Sequence, residues 1–217
     1  VSLNFLNPLL DLLLPKLCFG CQKPGSYLCS SCYNAIIFTT ISLCPICEKP
    51  SPFGFTHPGC ETLLSINGMF VLGDYSGVLR KMIHFLKYKN VFSLSETLVN
   101  LWLEHYPKEL PKFDLLTPIP LHLKRLKERG YNQAEILGKL FCQKSNLYFS
   151  NQILTRNRQT LAQMSIKNLK ERRKNIIGAF SYTDKIDVEE KNVALVDDVA
   201  TTGATIFEAT KVLKRNG

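Results

Sequence analysis

No stretch limits the fold more than Val193-Ala194-Leu195-Val196 running straight into Asp197-Asp198. Four apolar residues without polar alternation suit a strand buried on both faces of a parallel sheet. The carboxylates then fall at its C-terminal edge, where open α/β sheets keep their ligand crevice. Behind them lies a small, hydroxyl-rich turn. An amphipathic helix follows over 206–215, with Ile206, Ala209, Val212 and Leu213 on one face. Gly203 lets the backbone approach an anion, Thr201, Thr202 and Thr205 offer hydroxyls, and the free N–H groups of the helix start point at the ligand. An acid pair beside a phosphate nest fits a sugar phosphate. The carboxylates accept hydrogen bonds from vicinal ribose hydroxyls or hold a hydrated Mg²⁺.

The run 196–205 resembles the signature loop of type I phosphoribosyltransferases, which binds phosphoribosyl pyrophosphate (PRPP). That resemblance implies Asp197 and Asp198 as the catalytic, ribose-holding acids. It implies Ala200, Thr201, Thr202, Gly203, Ala204 and Thr205 as the 5′-phosphate loop. A strand ending in Asp-Asp would also suit a nucleotide triphosphatase, but that chemistry needs a G-x-x-x-x-G-K-[ST] loop. The only Gly-Lys pair, Gly138-Lys139, is followed by Leu140, which excludes it.

Seven of the eight cysteines crowd into residues 18–60, six of them in C-x-x-C pairs. In a chain without a recognisable secretory leader, such pairs point to metal rather than disulfides. Cys18, Cys21, Cys29 and Cys32 supply four soft ligands for a closed, tetrahedral structural Zn²⁺. Cys44 and Cys47 open a second set, completed by His57 and Cys60; interleaved pairing of the two sets is the alternative. A segment this small has little core, so metal binding should supply much of its folding free energy.

With 217 residues, the chain has room for a full domain and a small one. The expected division is an N-terminal helix over 1–17, a zinc-ribbon domain over 18–62 and an α/β domain over 67–217. No apolar run approaches the roughly 20 residues of a membrane span. A cytoplasmic location follows, with contact at the inner face of the membrane as a lesser expectation. A strand is expected over 69–75, helices over 77–88 and 94–106, and another strand over 113–121 entering a Pro-punctuated turn. His84 is expected among core positions; Trp102, His105 and Cys142 read as packing residues.

Ile119, Pro120 and Leu121 hold the right place in the order for a pyrophosphate loop, and Arg125 and Arg129 follow as candidate bidentate clamps. The polar span from 154 to 175 reads as a lid over the acid pair, or as a surface for a polyanion such as single-stranded DNA. Its candidates are Arg156, Arg158, Arg172, Arg173 and Lys174. Residues 120–175 hold thirteen Lys or Arg against three Asp or Glu, a net +10 where the whole chain carries +9. The basic charge is therefore local.

The cysteine pairs, Arg129-Gly130-Tyr131-Asn132-Gln133-Ala134, the segment from Arg156 through Thr160, Gln163 and Arg172 to Asn175, and the PRPP loop together resemble the ComF family of bacteria. The resemblance implies a type I phosphoribosyltransferase-like α/β parallel sheet flanked by helices, behind an N-terminal double zinc ribbon. It implies one or two structural Zn²⁺ and Mg²⁺ with PRPP, and a role in DNA uptake for natural transformation. Single-stranded DNA and DNA-uptake machinery proteins are the implied partners. An active, amidophosphoribosyltransferase-like enzyme and a zinc-ribbon adaptor are the alternatives. His57 departs from the family pattern, which has a cysteine there. The chain also ends at Arg215-Asn216-Gly217, where members continue into a further strand, so a missing edge strand or a truncated chain is expected.

Overall fold

The computed structural model describes residues 15–88, 92–108, 112–160 and 169–217, with the backbone alone at 92, 169, 170, 172 and 173. The expected N-terminal helix over 1–17 therefore lies largely outside the described residues. In chain order the elements are α1 (Ser30–Asn34), α2 (Gly77–Tyr88), α3 (Phe92–His105), β1 (Leu115–Pro118), α4 (Leu123–Arg129) and α5 (Gln133–Ser145). There follow β2 (Leu154–Arg156), α6 (Leu169–Ile176), β3 (Phe180–Tyr182), β4 (Val193–Val196) and α7 (Ala204–Lys214).

The fold is mixed α/β around a small parallel sheet. β1 pairs with β4 in parallel, Leu115 opposite Val193 and Pro118 opposite Val196. A parallel bridge from Leu116 to Phe149 extends the sheet on the other side of β1. Alternation along β1 sends Leu116 into a core with α2, α3 and α5, and Leu115 into one with Ile153, Phe180 and α7. β2 and β3 form a separate antiparallel pair.

Helix α5 lies close on this sheet because Gly138 has no side chain. A Cβ there would stand 2.7 Å from Leu116 Cδ2 and 2.9 Å from Val196 Cγ1. Its start is fixed by Asn132, whose side chain accepts from the Ala134 N–H and donates to the Ile119 carbonyl. The loop after β1 and the head of α5 are thereby tied together.

Three expectations change. Only Val196 of β4 is buried, and Val193, Ala194 and Leu195 are half-buried. Among the described residues β4 has a strand on one side only, so its other edge is not covered as a central strand's would be. The span 69–75 forms no regular strand; single bridges tie Gly68 to Phe55 and Gly73 to Phe38. His84 is exposed and leans on Tyr88, ring centroids 4.8 Å apart, because it faces away from the buried Met82, Ile83 and Leu86. Trp102 stacks on Phe141 at 4.0 Å and His105 on Phe38 at 3.8 Å, as packing residues do.

Candidate functional site

The cysteines form two knuckles with one backbone plan. In the first, the Cys18 N–H donates to Lys23 O and the Gln22 N–H to Cys18 O; in the second, Cys44 and Glu48 do the same with Lys49 and Cys44. Gln22 and Glu48 both take positive φ, 64° and 59°, which turns the chain back after each pair. The repeat is also written as Leu-Cys-x-x-Cys-Gln/Glu-Lys-Pro at Leu17 and Leu43, a signal that sequence reasoning missed.

The ligand atoms of Cys18, Cys21, Cys29 and Cys32 lie within 4.8 Å of one another, as do those of Cys44, Cys47, His57 and Cys60. Pairing is thus sequential, and both groups could hold zinc. Burial alone would raise the Cys18 thiol, but the N–H groups of Cys29, Cys21 and Gly20 outweigh it and bring it down to about 6. Burial and the neighbouring thiols push Cys32 up to about 12. Crowded thiols that shed protons unequally suit a cation. His57 Nε2 lies 3.1 Å from the Pro50 carbonyl, which makes it the protonated nitrogen and leaves Nδ1, 3.3 Å from Cys47 Sγ, free to ligate.

The second centre is a cleft of about 470 Å³ at the C-terminal edge of the β1–β4 pair. Asp197 and Asp198, the turn from Ala200 to Thr205, Ile119 and Leu121, and Arg125, Arg129 and Arg156 all line it. Pro120, between Ile119 and Leu121, is half-buried. Gly203 takes φ 67° as the cap of α7, and a Cβ there would meet the Phe207 ring at 2.7 Å. Thr202 Oγ1 accepts from the Ala204 N–H at 3.4 Å, a long bond; Thr201 is exposed.

Asp198 is held from two sides: Lys87 Nζ stands 3.1 Å and Gln133 Nε2 2.9 Å from its Oδ2. The Asp198 N–H donates to Asp197 Oδ1 at 2.8 Å. Burial first, and the Asp198 charge second, push the Asp197 carboxyl up to about 7 against the opposing pull of that N–H, Lys87 and Arg156. Arg156 is brought down to about 10, by burial and then by the Arg125 charge. Its guanidinium lies over the Phe180 ring and donates to Thr160 Oγ1, while Arg125 donates to the Thr160 carbonyl at 3.2 Å. Arg129 lies over the Tyr88 ring, 5.4 Å from its centroid.

The candidates for the lid or DNA surface separate. Arg156 lines the cleft, and Arg158 donates to the Asn175 carbonyl at 2.7 Å, at the C-terminal end of α6. Lys174 is exposed. Residues 161–168 and the side chains of Arg172 and Arg173 lie outside the described residues. Lys87 carries no motif, and Gln133 belongs to the run 129–134 that supports the family resemblance but has no role assigned from sequence. A lysine ending a helix is the ordinary complement to its dipole, so Lys87 carried no signal. Among the described residues, no helix is long and apolar enough to cross a membrane.

No family model and no solved structure matches the chain. It is 31% identical to Competence protein F of Haemophilus influenzae over 211 residues, 93% of this chain and 85% of the relative. It is 29% identical over 223 residues to DNA utilization protein YhgH of Salmonella typhi, covering 95% and 94%. To Competence protein ComFC of Bacillus subtilis it is 25% identical over 203 residues, covering 90% and 81%.

Proposed function

We propose, from the fact that this chain belongs to the ComF family, that it serves DNA uptake or utilization as a PRPP-binding protein of phosphoribosyltransferase fold that handles single-stranded DNA. The observation that carries the PRPP reading is the cleft. Three separate stretches of chain bring an acid pair, a Thr/Gly turn at a helix start and three guanidiniums to the same edge of a parallel pair. Asp197 and Asp198 accept the ribose hydroxyls, the turn from Thr201 to Thr205 takes the 5′-phosphate, and Arg125, Arg129 and Arg156 face the pyrophosphate. Mg²⁺, bound with PRPP, would offset charge between the acids and the phosphates. The eight knuckle ligands would each take a place on a structural Zn²⁺, leaving no open position for chemistry.

The basic stretch supports the DNA reading, since its net +10 lies beside Tyr148, which is exposed and available to stack on bases. A second reading, transfer to C1 with loss of pyrophosphate, is favoured by the same meeting of acids and guanidiniums in one cleft. Thermal melts with PRPP and Mg²⁺ test the pocket. PRPP should raise the Tm of the wild type, and Asp197→Asn with Asp198→Asn should abolish the rise. An unchanged rise in the double variant would put the pocket elsewhere. Pyrophosphate release across a panel of acceptors decides between binding and transfer.

A further inference from the structure

Gln133 opens α5 at the floor of the cleft, and its side chain does two things at once. Only 4% of the residue is exposed, and its Nε2 donates to Asp198 Oδ2 at 2.9 Å. Asp198 Oδ2 faces the Lys87 ammonium and accepts from Gln133 Nε2, so the amide turns its nitrogen toward Asp198 and its oxygen away. That Oε1 is buried and has no hydrogen-bond partner among the described residues. An unpaired buried acceptor is costly, and one kept beside a ligand cleft marks the place of an incoming donor. On the other side of Asp198 stands Lys87, its side chain 14% exposed, whose ammonium balances that carboxylate.

We propose that Gln133 is a sugar-hydroxyl ligand that makes the cleft select ribose over 2-deoxyribose 5-phosphates. Its Oε1 accepts the hydrogen of the ribose 2-hydroxyl, and its Nε2 keeps Asp198 turned to accept the 3-hydroxyl. Lys87 gives way to the sugar and swings toward the phosphates. A 2-deoxy sugar leaves that Oε1 unpaired, and sites built to bond a hydroxyl reject analogues that lack it. This inference rests on the reading of the cleft as a sugar-phosphate pocket.

Calorimetric titration with ribose 5-phosphate and 2-deoxyribose 5-phosphate, in Mg²⁺, tests both levels separately. Wild type should prefer the ribose sugar by about 10-fold, the worth of one net hydrogen bond. Gln133→Leu should bind the two sugars alike, and Gln133→Asn, too short to span both partners, serves if the leucine variant does not fold. Equal binding of both sugars by wild type, or a preference surviving in a folded Gln133 variant, overturns the role of Gln133 and leaves the pocket standing. Binding of neither sugar overturns both.

Discussion

Phe19, inside the first cysteine pair, packs its ring 5.4 Å from that of Phe85, and two residues further along the same helix Lys87 reaches Asp198. Lys81 adds a hydrogen bond from α2 to the Gly20 carbonyl at 2.8 Å, inside the same knuckle. One face of α2 thus leans on the first knuckle while its C-terminal end enters the cleft.

The expected consequence is that metal and pocket are coupled. Purified protein should carry about two Zn²⁺ per chain, and the first site should matter to the cleft. Cys18→Ser with Cys21→Ser should lower the Tm and shrink the PRPP-induced rise in it. His57→Ala should remove one Zn²⁺ and leave that rise intact, because the second knuckle lies outside the contacts of α2 with the first. Elemental analysis and melts with and without PRPP check both. Equal loss of the rise in the two variants would mean that the knuckles act only through general stability.

Asp197 gives the fold a pH signature. Its carboxyl is raised from 3.8 to about 7 on folding, so the native state holds a proton that the unfolded chain releases earlier. The contribution of this group is fully present below pH about 4 and is lost as pH rises through about 7. Asp197→Asn removes the titration. The variant should match wild type near pH 4, gain on it progressively to about pH 7, and stay ahead above. Each kcal/mol relieved is worth about 2–4 °C in Tm for a chain of this size. A difference between the two proteins that does not change with pH would contradict a raised Asp197.

Much of this was legible in the residues. The strand–acid–turn–helix order announced the cleft because each part has its own local signature, and the C-x-x-C spacings fixed both knuckles. The contacts of Lys87 and Gln133 with Asp198 were not legible, although Gln133 stands in the run 129–134, since each lies far from Asp198 in sequence and enters the cleft only through packing. Gln133 is set by the Asn132 cap, which joins α5 to the Ile119 carbonyl, and Lys87 by the seat of α2 on the knuckle. Arg156 read only as part of a lid over the acid pair or of a polyanion surface, for the same reason. Its place over Phe180 depends on the β2–β3 pairing, a contact between strands 24 residues apart that no local pattern records.

Single-stranded DNA binding should be electrostatic and separable from the cleft. Among the described residues of the basic stretch, Arg125, Arg129 and Arg156 turn into the cleft, whereas Lys174 is exposed on α6. Affinity should fall with salt by a logarithmic slope of roughly −0.7 per phosphate neutralised. Little sequence preference is expected, because stacking and phosphate contacts are blind to base identity. Arg172→Ala with Arg173→Ala and Lys174→Ala removes three cations and should flatten that slope by about 2 if each meets one phosphate. Asp197→Asn with Asp198→Asn should leave the slope nearly unchanged while abolishing the PRPP effect. Filter binding across a salt series reads both. No association even at low salt would assign the basic stretch to pyrophosphate alone and favour the transferase reading.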